Sequence, residues 1–76
     1  MPGRMPRISG KDLLRALRHA GWYVDEVEGS HHHLRHPDRP GKLTVPTHGT
    51  SILKLKIVGG ILDQAGLTVE ELEELR

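Results

Sequence analysis

Cysteine is absent from the 76 residues of this chain. That excludes a disulfide framework, a thiolate zinc site and cysteine nucleophiles, and it is consistent with a reducing cytoplasm. Long apolar runs are missing as well, and residues 1 to 8 carry Arg4 and Arg7 with no apolar stretch behind them. We therefore expect neither a membrane span nor a secretory signal, and place the protein in the cytoplasm. A chain this short buries only about 60% of the surface its unfolded form exposes, so one small core has to carry the fold without covalent staples. We expect a single domain over residues 8 to 76, preceded by a loose basic arm over residues 1 to 7.

A large excess of one charge is also lacking, since the formal net charge is +1. The average hides a split. Residues 1 to 60 hold ten Lys/Arg against five Asp/Glu, whereas residues 61 to 76 hold one against five. The body is basic and the tail acidic, and six histidines make the body more attractive to polyanions as pH falls.

The elements follow from local pattern. Ser9 and Asp12 form a capping-box spacing, and Ile8 with Leu13 has that of a hydrophobic staple; Leu13, Ala16, Leu17 and Ala20 then repeat at helical spacing up to Gly21. This predicts a helix over 10–20, on which Lys11, Arg15 and Arg18 form one stripe opposite the apolar face. Residues 22–27 are rich in β-formers and end at Gly29-Ser30; residues 31–36 and 42–47 read as two further strands, joined by a loop of about five residues, Pro37 to Gly41. A second helix is expected over 53–65, closed by Gly66, with Gly59-Gly60 inside it requiring tertiary support or serving close backbone packing. Thr68 with Glu71, and Leu67 with Leu72, start a short C-terminal helix. The order α-β-β-β-α plus a terminal helix makes an α+β domain, a three-stranded antiparallel sheet with its helices on one face. Double-stranded-RNA-binding domains share this arrangement, so RNA is a reasonable partner on fold alone.

The most informative feature is the cluster His31, His32, His33 and His36, with His48 following. Three chemistries compete for it. For metal binding, strand alternation lets His31 and His33 share an ion but excludes His32, while His32 and His36 share a face about 13 Å apart. A third ligand would have to come from His48 or Asp38, and no metal-ligand spacing demands it. For any single histidine, decoration of a half-exposed strand is the plainer account. The third is general acid/base catalysis, for which one histidine suffices when RNA supplies its own nucleophile, the 2′-hydroxyl. The enzyme then has to move protons and stabilise a crowded phosphorane, with no metal or cofactor.

Taken in order, Ser9-Gly10-Lys11-Asp12-Leu13, Gly21-Trp22, Gly29-Ser30-His31-His32, His36-Pro37-Asp38, Val45-Pro46-Thr47-His48 and Ile61-Leu62-Asp63-Gln64-Ala65-Gly66-Leu67 resemble the HicA (YcfA-like) toxins over nearly all of residues 8 to 75. The resemblance implies a fold like a double-stranded-RNA-binding domain, cleavage of mRNA independently of the ribosome, and an antitoxin of the HicB family as partner. It implies further that the catalytic histidine, the last residue of the Gly-Ser-His-His motif, is His32; where the sequence departs from the family pattern, as at His33, it leaves His31 or His33 as a helper.

These readings combine into an endoribonuclease in which His32 is the acid/base, Ser30 and nearby amides orient the phosphate, and Lys11, Arg15 and Arg18 track the RNA backbone. The alternative is an RNA- or protein-binding module of the same fold without catalysis. Oligomers are expected mainly through the antitoxin complex. One tension stands: alternation puts His32 on the same face as Leu34, the core face, so catalysis requires it at the rim, beside helix 1 and near Lys11 or Arg15.

Overall fold

The computed structural model describes residues 6–76. The expected arm over residues 1 to 7 lies mostly outside these, and its last two residues have no regular structure. Ser9 opens the first helix as its pattern predicts. Its backbone is extended and its Oγ accepts the Asp12 N–H at 3.2 Å, satisfying one donor left free at a helix start. Asp12 does not return the bond; its carboxylate instead holds Arg15 at 2.7 Å, so only half of the capping box forms. Helix α1 runs Gly10–His19, with Ala20 as its C-cap. Ile8 and Leu13 are both buried in the core, as the staple spacing requires.

Three antiparallel strands follow, β1 (Tyr23–Glu28), β2 (His31–His36) and β3 (Arg39–Pro46), in the spatial order β1-β2-β3. The first begins one residue later than expected because Trp22 turns into the core, where it packs edge-on against His36 at 5.2 Å between ring centroids. The second has the predicted bounds. The five-residue loop does not exist: His36 pairs with Arg39 across the two-residue turn Pro37-Asp38, and Pro40 and Gly41 belong to β3. The extra residues are absorbed as a register shift opposite Arg35, between the pairs Leu34–Leu43 and His36–Arg39. Gly41 stands in this irregularity at φ +90°, a conformation that side-chain-bearing residues rarely adopt. Pro40 is tolerated because β3 is an edge strand.

Register decides the faces. Val24, Leu34 and Leu43 lie abreast, and next to them Val27, His32 and Val45. Leu34, Leu43 and Val45 form one buried cluster with Leu13, Ala16 and Leu17 of α1. Helix α2 spans Leu55–Ala65 rather than 53–65, with Lys54 as an N-cap that makes no side-chain bond. Its start is delayed because the preceding chain pairs with the N-terminal segment, through a bridge from Ser9 to Ile52 and the Leu53 N–H to the Ile8 carbonyl at 2.9 Å. Val58, Ile61, Leu62 and Ala65 anchor α2 to the core, and Gly66 stops it at φ +71°. Thr68 and Glu71 form the full capping box of α3 (Val69–Leu75), with bonds of 2.9 and 3.1 Å. The ring of His19, at the end of α1, donates from Nδ1 to the Leu75 carbonyl at 2.8 Å and ties α3 down.

Gly60 meets nothing that a side chain would disturb, so close backbone packing does not explain it. Gly60→Ala is therefore expected to stabilise the fold by about 0.5–1 kcal/mol, read as a rise in Tm. No helix among the described residues is long and apolar enough to cross a membrane.

Candidate active site

The β1–β2 turn at Gly29-Ser30 brings the start of β2 beside the end of β3, where His31 pairs with Pro46 and His32 with Val45. Beyond that last pair the two chains stay joined, since the Thr47 N–H and Oγ–H both reach the Ser30 carbonyl, at 2.7 and 3.0 Å. Ser30, His31, His32, Thr47 and His48 thus converge at one end of the sheet, set by two short-range features, a glycine turn and a strand register.

The histidines then separate by environment. His33 lies on the face opposite the helices, yet it is only 9% exposed. Its Nδ1 meets Thr44 Oγ1 at 2.9 Å and its Nε2 meets Glu28 Oε1 at 2.7 Å, so both ring nitrogens are occupied. With the helices on one face, the other face is left to solvent, but at this position neighbouring polar side chains cover it. His36 is equally committed: Nδ1 accepts the Asp38 N–H at 3.0 Å and Nε2 donates to the Ala20 carbonyl at 3.1 Å, which binds the second hairpin to the end of α1. His31 is exposed and packs edge-on to His48 with 6.4 Å between ring centroids, while His48 Nε2 lies 3.3 Å from Ser30 Oγ.

His32 is half-buried on the helix-covered face, between Val45, which is sealed, and Val27, which is 52% exposed. The sheet is uncovered on the Val27 side of this corner, so His32 keeps the face that alternation assigns it and stands at the rim. Nδ1 of His32 lies 3.1 Å from Thr47 Oγ1. Nε2 has no hydrogen-bond partner among the described residues and is not sealed from solvent.

Helix α1 enters the same corner by its N-terminus, where Gly10 rests directly on the Pro46 carbonyl and on Thr47. At about 1.5 Å per residue, Lys11 is beside this end, whereas Arg15 is about 7.5 Å and Arg18 about 12 Å along the axis from Gly10. Arg15 is 64% exposed and paired with Asp12; with Arg18 and His19 it lines an open depression on the outer side of α1. No hydrogen bond or ion pair joins His32 to Lys11, Arg15 or Arg18 among the described residues. Among those residues, too, no group of three or more histidine and carboxylate side chains is placed to hold a metal ion.

Thr47, to which the sequence pattern assigns no role, is the residue that touches His32. The signal for it was the strand pairing, which sets position 47 across from position 30 once His32 is opposite Val45. Comparison with curated proteins gives no match. A family model described as the HicA toxin of bacterial toxin-antitoxin systems matches residues 10–67, from the first residue of α1 to the close of α2, and so includes the whole sheet and the histidine corner. The chain belongs to the HicA toxin family, and is the toxin member of a toxin-antitoxin pair.

Proposed function

We propose that this protein is a metal-independent endoribonuclease that cleaves mRNA and is held in check by a HicB-type antitoxin, with His32 as its acid/base residue. The observation that supports this most is the state of the His32 ring, hydrogen-bonded through one nitrogen and unpartnered but not sealed from solvent through the other, beside exposed Val27. A general acid/base needs that combination, a constrained ring and a free nitrogen at a place RNA can reach.

The chemistry needs little more. The 2′-oxygen attacks the adjacent phosphorus and the bond to the 5′-oxygen breaks, leaving a 2′,3′-cyclic phosphate and a 5′-hydroxyl. In-line attack puts the two reacting oxygens on opposite sides of phosphorus, so His32 Nε2 exchanges a proton with one of them and solvent water with the other. Lys11, on the end of α1 that meets this corner, is the candidate cation for the charge on the phosphorane. Arg15 and Arg18, farther along the same stripe, hold the flanking backbone, a contribution that weakens as salt rises. Ser30, two residues before His32 in the chain, is the candidate to orient the phosphate, with its Oγ 3.3 Å from His48 Nε2, and exposed Val27 offers an apolar wall for a base or ribose.

This reading is tested by product chemistry. The purified protein, incubated with a synthetic RNA in the presence of a chelator, is expected to yield ends carrying cyclic phosphate and 5′-hydroxyl, and to leave a fully 2′-O-methylated RNA of the same sequence intact. Equal cleavage of the methylated strand would overturn the mechanism, because the nucleophile would then be water. Retention of RNA without any cleavage would point to the binding module instead.

A further inference from the structure

The hydroxyl hydrogen of Thr47 has two neighbours within hydrogen-bond distance, and it can serve only one. The Ser30 carbonyl oxygen, at 3.0 Å, can only accept. The His32 Nδ1, at 3.1 Å, donates or accepts according to the tautomer. If the hydrogen pointed at Nδ1, Thr47 Oγ1 would face the Ser30 carbonyl lone pair to lone pair. Both contacts are satisfied only when Thr47 donates to Ser30 and His32 donates from Nδ1 to Thr47. The neutral ring then carries its proton on Nδ1 and its lone pair on Nε2, the nitrogen that is not sealed from solvent.

We propose that Thr47 is a positioning residue for His32: its hydroxyl, oriented by the Ser30 carbonyl, holds the ring in the Nδ1–H tautomer and aims the basic Nε2 outward. The proposal rests on His32 being the acid/base residue and adds to it the device that keeps that base in its competent form. The same bond survives the proton cycle, because a doubly protonated ring still donates from Nδ1 to Thr47 Oγ1. Nε2 alone gains and loses the proton. The arrangement corresponds to a nucleophile–base–orienter array in which a neutral hydroxyl takes the orienting place, so it steers the ring without adding charge. The anchor is firm, since the Thr47 backbone N–H also bonds the Ser30 carbonyl, at 2.7 Å, and Gly10 of α1 packs against the same residue.

The test compares Thr47→Val, which has nearly the shape but no hydroxyl, and Thr47→Ser, which keeps it, with the parent and with His32→Ala. The readouts are steady-state cleavage of a synthetic RNA and the ring-nitrogen chemical shifts of His32. Thr47→Val is expected to lose about 10- to 100-fold in kcat, by analogy with the loss when the partner that orients a metal-bound histidine is removed, with KM close to the parent's. Thr47→Ser should restore most of the rate. The parent's neutral ring should show Nδ1 protonated and Nε2 bare, and Thr47→Val a mixture of tautomers. A parent ring in the Nε2–H form overturns the proposal whatever the variants do, and needs no variant to fold. Parent-like kcat in folded Thr47→Val, with His32→Ala inactive, removes Thr47 and leaves His32 in place. Parent-like cleavage by His32→Ala overturns the acid/base assignment itself.

Discussion

Gly10→Ala is expected to lower the stability of this protein, against the trend of helix propensity. Alanine is the better residue in a helix by about 1 kcal/mol, so on local grounds the substitution should help. The added Cβ, however, would be driven into the Pro46 carbonyl and would stand 3.0 Å from Thr47 Cα. Both neighbours are backbone, and the Thr47 N–H is tied to Ser30 at 2.7 Å, so neither side yields cheaply. Forcing a methyl group into such a contact costs about 1–3 kcal/mol. For a domain of this size each kcal/mol moves Tm by about 4–8 °C. The displacement falls on the residue that holds His32, so RNA cleavage should decline in protein that remains folded. Gly60→Ala supplies the control: the same substitution in α2, where the new methyl meets nothing, should raise Tm. If Gly10→Ala also raises Tm, α1 does not rest on Pro46 and the placement of the histidine corner is in error.

The fold was legible where its cause is local. The caps at Ser9 and Thr68, the stop at Gly66 and the bounds of β2 depend on residues within one turn of each other, and all stand where their spacing put them. The start of β3 was not legible, because Pro40-Gly41 serves a loop and a strand irregularity equally well. Pairing of His36 with Arg39, a matter of cross-strand register, decided between them. The late start of α2 has the same kind of cause, a pairing of residues 52–53 with 8–9 that no local pattern announces.

The site divides in the same way. A histidine-rich strand start is visible in sequence, and alternation correctly puts His32 on the face of Leu34. Its exposure depends on Val27, the β1 residue beside it, being left uncovered. The burial of His33 depends on Glu28 and Thr44, and the burden on His36 depends on the Ala20 carbonyl, all brought in by the fold. The link from Thr47 to His32 joins residues 15 positions apart in the chain and becomes visible only when the strands are in register.

His32→Ala should cost far more than any other substitution considered. Removing a general acid/base costs about 100- to 10,000-fold in rate. The fold should tolerate the change, because the ring is half-buried at a rim and its one hydrogen bond is to Thr47, whose hydroxyl keeps its Ser30 partner. In cells, the parent expressed without an antitoxin should arrest growth and degrade mRNA, and His32→Ala should do neither. The most direct measurement is the rate at which purified parent and His32→Ala cleave one synthetic RNA, with thermal unfolding of both followed in parallel. A loss of at least about 100-fold at an unchanged Tm is the predicted result, whereas a folded His32→Ala that cuts as fast as the parent would contradict the account at its centre.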